Sequence, residues 1–90
     1  MVKIIYAGNY PENLNVLRVE DSSLKDLIDK RVRWFIKNPK DTRLDNHVLS
    51  GKMEGKHAFS ITDDIRIVYE WVGKSTVRFL AIGHHKRVYS

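Results

Sequence analysis

The chain contains no cysteine among its 90 residues. This absence excludes a disulfide scaffold and a zinc site with thiolate ligands, and it suits a reducing compartment. The sequence also lacks a long apolar run and a signal-peptide pattern, so we expect a soluble, cytoplasmic protein that does not enter a membrane. It has no internal repeat, low-complexity tract or linker, and residues 1–90 are predicted to form a single domain.

The sequence also has no glycine-rich phosphate-binding loop, and it offers no convincing set of metal ligands. His84 and His85 are adjacent, and neighbouring side chains on an extended segment point apart rather than chelating one ion. We therefore expect neither a cofactor nor a metal.

The charge is unevenly distributed along a chain whose 42% hydrophobic and 10% aromatic content favours a folded core over disorder. Residues 1–29 hold three basic and five acidic side chains, whereas residues 30–90 hold thirteen basic and six acidic ones. A basic second half indicates a polyanionic partner, most simply a nucleic acid.

The first half of the chain predicts one strand and one clear helix. Residues 2–7 form a short apolar run rich in β-branched residues, which is typical of a strand. Residues 9–21 predict no more than a turn or two of helix, whereas residues 21–23 supply an N-cap for an amphipathic helix that ends at Asn38 and Pro39. Arg31 falls within the apolar sector of this helix, so we expect it to reach solvent or to meet a partner protein.

The second half predicts a loop over residues 40–56 and then three strands in an antiparallel meander, at residues 59–62, 65–72 and 76–82. The predicted fold is therefore α+β, a β-α-(α)-β-β-β chain with helices packed on one face of a twisted antiparallel sheet.

The alternation of side chains predicts the register of this meander. A three-residue loop at Gly73–Ser75 pairs Glu70 with Arg78, and a three-residue loop at Asp63–Ile65 places Ser60 and Thr62 on the face of Arg66. The helix-covered face is predicted to carry Ile67, Tyr69, Trp71, Val77, Phe79 and Ala81. The opposite, open face is predicted to carry Arg66, Val68, Glu70, Arg78 and Leu80.

Three motifs bring histidines, an acid and an arginine to the ends of the predicted strands. They are H-x-L-x-G from His47, F-S-I-x-x-D-x-R-I-V-Y from Phe59, and I-G-x-H-x-x-V-Y from Ile82. A histidine transfers protons near neutral pH, and an arginine holds a phosphate with its fork of donors. With a 2′-hydroxyl as nucleophile, these groups are suited to cutting RNA without a metal.

These motifs resemble the RelE/ParE superfamily of small bacterial toxins, and within it the RelE-type and YafQ-type mRNA interferases. The similarity runs from His47 to Tyr89, roughly half of the chain, and residues 1–46 match only in outline. It implies a RelE-like fold and the toxin of a type II toxin–antitoxin system, with a cognate antitoxin as partner. It also implies an endoribonuclease that cleaves mRNA on the ribosome.

The resemblance also implies roles for individual residues. His85 takes the position of the histidine in general acid–base catalysis, Arg66 that of the arginine on the scissile phosphate, and Tyr89 that of an aromatic residue. Asp64 takes the position of the acid in YafQ-type toxins and His47 that of the histidine opening the first motif. Further RNA-binding candidates are Lys52, Lys56, Ser60, Arg78, His84, Lys86 and Arg87.

One position departs from the YafQ pattern, because Ser60 stands where those toxins carry a further histidine. His57 lies three residues earlier, with the opposite strand parity, so it is no substitute. Two alternative functions stay open: a ParE-like inhibitor of DNA gyrase without nuclease activity, and an RNA-binding protein with weakened catalysis. A simpler interpretation gives these residues no catalytic role: His85 and His47 would be solvent-exposed residues, and Arg66 would form half of a salt bridge with Asp64 or Glu70.

Overall fold

The structure, a computed structural model, describes residues 1–88 and leaves the side chain of Arg87 undescribed. It is built on a five-stranded sheet with the strand order β1-β5-β4-β3-β2. The strands are β1 (Lys3–Tyr6), β2 (His47–Val48), β3 (His57–Ser60), β4 (Ile65–Trp71) and β5 (Thr76–His84). The helices are α1 (Tyr10–Glu20), α2 (Leu24–Lys37) and α3 (His85–Val88), and two single 3₁₀ turns lie at Thr42–Leu44 and Gly51–Met53. None of the helices within residues 1–88 is both long enough and apolar enough to span a membrane.

The predicted α+β fold is confirmed, but the sheet is mixed rather than fully antiparallel. Strand β1 runs parallel to β5, with Ile4 opposite Val77 and Tyr6 opposite Phe79. Parallel neighbours require a long crossover between them, and α1, α2 and the remaining strands provide it. Residues 9–21, for which the sequence predicted no more than a turn or two of helix, contain the 11-residue helix α1.

The predicted loop at residues 40–56 contains the edge strand β2, which pairs His47 with Ala58 and Val48 with His57. Two residues are too few for a periodic hydrophobic pattern, so no sequence signal distinguishes this strand from a loop.

The β3–β4 hairpin has the predicted odd loop, but at Thr62–Asp64 instead of Asp63–Ile65. The Ile61 N–H donates to the Ile65 carbonyl at 2.8 Å, and Ser60 lies directly opposite Arg66. The Thr62 hydroxyl accepts from the Ile65 N–H at 2.9 Å, which closes the turn one residue earlier than expected. Ser60 therefore shares the open face with Arg66, as predicted.

The β4–β5 hairpin confirms the loop at Gly73–Ser75, since Glu70 lies opposite Arg78 and Trp71 opposite Val77. The prediction for Ala81 is wrong, because the register shifts between Val68 and Tyr69. Tyr69 pairs with Phe79 but Val68 pairs with Ala81, which leaves Leu80 as the extra residue of a β-bulge. A bulge reverses the alternation of side chains, so Ala81 shares the open face with Val68.

The core lies between α2 and the helix-covered face of the sheet. Phe35 of α2 stacks on Phe59 with ring centroids 4.5 Å apart and meets the edge of Tyr69 at 4.8 Å. These three rings and Phe79 are at most 1% exposed. Such aromatic pairs contribute about 0.5–1.5 kcal/mol each beyond the area they bury, so this cluster anchors the strands that carry the candidate site.

Helix α1 lies beside β5, and the backbone of the turn just before this helix approaches the bulge closely. Gly8 has a φ of +55°, and a Cβ atom there would lie 2.8 Å from the Leu80 carbonyl oxygen. The same oxygen accepts the Asn9 N–H at 3.0 Å, and the Asn13 side chain accepts the Ile82 N–H at 3.2 Å. Both the positive φ and the close approach require glycine at position 8.

We predict that Gly8→Ala lowers the free energy of unfolding by roughly 2–4 kcal/mol, from left-handed strain plus the clash with Leu80. Gly55→Ala is the matched control, because Gly55 also has a positive φ of +86° but has nothing within 4 Å of a built Cβ. The control should cost only about 1–2 kcal/mol. Urea denaturation of both variants measures the difference, and equal losses would refute a close packing of Gly8 on the bulge.

Candidate active site

Three strands bring the central candidates together at the end of the sheet where β4 begins and β5 ends. Arg66 of β4 lies opposite Ser60 of β3 on one side and opposite Gly83 of β5 on the other. His85 follows Gly83 by two residues and begins α3. The structure therefore places Ser60, Arg66 and His85 at the same end of the sheet, which we call the His85 end.

The chain turns sharply from β5 into α3 at this end. The His85 N–H donates to the Asp64 carbonyl at 2.8 Å and lies 3.2 Å from the Asp64 carboxylate. A Cβ atom on Gly83 would lie 3.3 Å from a methyl group of Val88. Glycine thus leaves room for α3 to fold back on the sheet, and His85 itself is exposed.

Asp64 also binds His84, and this interaction shifts the pKa of both groups. His84 Nδ1 lies 2.5 Å from the Asp64 carboxylate, and His84 Nε2 lies 3.6 Å from the Glu20 carboxylate at the end of α1. The hydrogen bond with Asp64 raises the pKa of His84 above its ordinary value, and Glu20 acts in the same direction. The hydrogen bonds from His84 and from the His85 backbone lower the pKa of Asp64. Both shifts favour the charged form of the group concerned, and the pair lies next to His85 in the chain.

Arg66 extends along the hairpin, where its Nη1 donates to the Thr62 carbonyl at 2.6 Å. The two expected salt-bridge partners are engaged elsewhere: Asp64 binds His84, and Glu70 binds Arg78 at 2.8 Å. The Nε of Arg66 is buried and has no hydrogen-bond partner within the described residues. Because the Thr62 carbonyl carries no net charge, the positive charge of Arg66 is suited to attract an anion at this end of the sheet.

Ser60, which stands where YafQ-type toxins carry a further histidine, lies on β3, and so does His57. Ser60 is only 9% exposed, so the hydroxyl opposite Arg66 is nearly enclosed. His57 lies opposite Tyr69, and the two rings stack with centroids 5.3 Å apart. His57 therefore lies on the helix-covered face, as its strand parity predicts.

The remaining candidates lie further from the His85 end. His47 of β2 is separated from β4 by strand β3, and its Nδ1 lies 3.0 Å from the Asp45 carbonyl oxygen. Lys52 is exposed in the turn at Gly51–Met53, and Lys56 is half-buried just before β3. Arg78 is occupied by Glu70.

On α3, Lys86 is exposed. Tyr89 and the side chain of Arg87 lie outside the part of the chain that the structure describes. Within residues 1–88, no group of three or more His, Asp or Glu side chains is arranged to hold a metal ion.

The sheet order, the helices on one face and the short helix after β5 define an α+β fold that solved structures of RelE-like toxins share. Among solved structures, YafQ from E. coli strain BL21(DE3) is similar with a TM-score of 0.81 at 16% identity, over 100% of both chains. The YoeB/ParE toxin from Agrobacterium tumefaciens has a TM-score of 0.77 at 19% identity, over 93% of this chain and 99% of that one. A chain of the E. coli DinJ–YafQ complex has a TM-score of 0.73 at 16% identity, over 100% of both chains.

The predicted RelE-like fold is thus confirmed. No protein-family model and no curated protein sequence matches the chain.

The Asp64–His84 pair predicts a defined pH dependence. Asp64 has a lowered pKa, so its contribution to stability is present above its ordinary value of 3.8 and is lost as the pH falls through its folded pKa. His84 has a raised pKa, so its contribution is complete below 6.5 and is lost as the pH rises through its folded pKa. We therefore predict that His84→Gln lowers the melting temperature more at about pH 5.5 than at about pH 9.

An NMR titration tests the cause of the shift directly. The pKa of His84 should fall in Asp64→Asn by more than in the control Glu20→Gln, because Asp64 has the larger effect. A pKa for His84 that does not move in Asp64→Asn would show that the two side chains are not paired in solution.

Proposed function

We propose that this chain is the toxin of a type II toxin–antitoxin system and an endoribonuclease that cleaves mRNA on the ribosome. The observation that carries the proposal is the meeting of Arg66 and His85 at one end of a sheet whose fold matches YafQ over the whole of both chains. The thirteen basic residues of the second half supply the charge that an RNA partner requires.

In the proposed reaction, the 2′-oxygen attacks the neighbouring phosphorus in line, and the bond to the 5′-oxygen breaks. His85 is the general acid that protonates the leaving 5′-oxygen, since it is exposed at the start of α3. Arg66 stabilises the negative charge of the phosphorane. The products are a 2′,3′-cyclic phosphate and a 5′-hydroxyl.

Asp64 has a positioning role in this proposal. Its carbonyl and carboxylate oxygens both face the His85 N–H, and its carboxylate already binds His84. A carboxylate with a lowered pKa is also a weak proton acceptor. We therefore propose that the proton of the 2′-hydroxyl passes to water, because strand β3 separates His47 from β4.

We propose that a cognate antitoxin restrains this activity, because solved structures with the same fold include toxins in complex with their antitoxins. These are the E. coli DinJ–YafQ complex and the YoeB–YefM complex from Staphylococcus aureus. The proposed site of action is the bacterial cytoplasm.

Induced expression in bacteria, with mapping of mRNA 5′ ends, tests the function. Cuts in phase with codons are the expected result, because a ribosome-dependent nuclease cleaves within the decoded frame. DNA damage with intact mRNA would contradict the proposal and favour a gyrase inhibitor. Growth without either effect would favour an RNA-binding protein that has lost catalysis.

We predict that His85→Gln lowers the rate of mRNA cleavage about 10²–10⁴-fold, the typical contribution of general acid–base catalysis. Its melting temperature should not change, because His85 is exposed. His57→Gln is the matched control: it replaces a histidine on the helix-covered face and should leave the cleavage rate close to the original. A folded His85→Gln variant with full activity would refute the assignment.

Arg66→Lys should restore only part of the cleavage that Arg66→Ala loses, because lysine keeps the charge but not the fork of donors. Single-turnover cleavage in a translation extract measures both variants. Full activity of the lysine variant would show that a positive charge alone is sufficient at this position.

A further inference from the structure

A pocket lined by three arginines lies beside the turn of the β3–β4 hairpin. Arg31 comes from α2, Arg43 from the 3₁₀ turn at Thr42–Leu44, and Arg66 from β4. Ser60 and Thr62 of the hairpin complete a cavity of about 170 Å³. Three guanidinium groups from separate elements meet there although like charges repel, so the fold holds them together.

Two of the three guanidinium groups keep an unused donor. Arg31 donates Nη1 to the Arg43 carbonyl at 2.6 Å, and Arg66 donates Nη1 to the Thr62 carbonyl at 2.6 Å. The Nε atoms of both are buried without a hydrogen-bond partner among the described residues. The two carbonyl acceptors carry no net charge, so both guanidinium charges stay available to an anion in the pocket.

The pocket is rigid on the side of α2. Arg43 lies over the Trp34 ring, with its guanidinium carbon 3.6 Å from the ring centroid, and Arg31 contacts the same ring at 4.8 Å. Arg43 also makes a two-pronged ion pair with Asp41, at 3.0 and 2.6 Å. Because these contacts hold the two arginines before a ligand arrives, little side-chain entropy is lost when an anion binds.

The charges around the pocket favour an anion with a single charge. Three guanidinium groups line it, and the carboxylates of Asp45 and Asp63 also border it. Asp41 offsets the charge of Arg43, so Arg31 and Arg66 supply the positive charge at the pocket. The nearby carboxylates favour the single negative charge of a phosphodiester over the dianion of a phosphate monoester.

We propose that this pocket binds a phosphodiester of the RNA strand next to the one that is cleaved. The inference rests on the proposed function, since Arg66 is common to both places: it lies beside Gly83 at the His85 end, and its guanidinium borders the pocket. Arg31 and Arg43 are then positioning residues: they hold the RNA so that the neighbouring, scissile phosphate reaches His85.

A binding measurement with RNA that cannot be cleaved separates the pocket from catalysis. The probe is a 2′-O-methyl RNA hexanucleotide, which lacks the nucleophile, titrated by fluorescence anisotropy at several salt concentrations. Arg31→Gln should weaken binding about tenfold and reduce the slope of log K against log salt by about 0.7, the loss of one single-strand phosphate contact. Arg33→Gln is the matched control, with the same charge change at an exposed position of the same helix; it should weaken binding less than twofold.

Two further variants keep the test valid if Arg31→Gln folds poorly. Arg31→Lys retains the charge and the apolar stem but lacks the Nε donor, and it should still weaken binding several-fold. Asp63→Asn removes a carboxylate from the border of the pocket and should strengthen binding, by more than the control Asp26→Asn on α2. Melting temperatures identify any variant whose loss is due to unfolding.

The outcomes distinguish this inference from the proposed function. Equal losses in Arg31→Gln and Arg33→Gln would overturn the pocket while the nuclease proposal stands. Failure of the unchanged protein to bind the RNA probe at low salt would also overturn the pocket, whereas the nuclease proposal is tested separately by the mapping of mRNA 5′ ends. Inorganic phosphate that shifts the Arg31 and Arg66 NMR signals, with RNA affinity unchanged in the arginine variants, would show a site for free phosphate and would also overturn the inference.

Discussion

The β-bulge at Leu80 is the constraint on which the second half of the molecule depends. Before the bulge, Val77 and Phe79 point into the core; after it, Ile82 does so, although it lies an odd number of residues from Phe79. The extra residue thus keeps β5 apolar on its buried side while Gly83 comes to lie opposite Arg66. An unbroken alternation would turn Ile82 toward the open face, and the glycine that accommodates α3 would no longer lie there.

The features that could be predicted from the sequence are those encoded by local patterns. The helix at Leu24–Lys37, the loop at Gly73–Ser75 and the shared face of Ser60 and Arg66 all follow from side-chain period and turn chemistry. The features that were missed depend on distant contacts. The Leu80 carbonyl of the bulge is held by the Asn9 N–H just before α1, and the partner of β1 is set by the crossover. Strand β2 is too short to show a hydrophobic period.

The same limit applies to the candidate site. The motifs identified the side chains at the His85 end, but not how their hydrogen bonds are shared. Sequence reasoning offered Asp64 and Glu70 as partners of Arg66, whereas His84 and Arg78 take them. Arg66 instead donates to a carbonyl, which carries no net charge. Its positive charge is therefore left for a ligand, and an isolated strand pattern cannot reveal that choice because the competing partners lie on β5.

These pairings give different functions to the His85 end and to the pocket at the turn of the β3–β4 hairpin in the proposed mechanism. At the His85 end, Asp64 uses its backbone and its carboxylate to hold the start of α3, so it fixes the direction of His85 without competing for the proton. At the hairpin turn, Trp34 and Asp41 hold Arg43, while Arg31 and Arg66 keep their Nε donors free. Unused buried donors reduce the stability of a small domain. Arg31 and Arg66 both donate to carbonyls that carry no net charge, and the proposed phosphodiester would supply the negative charge that matches theirs.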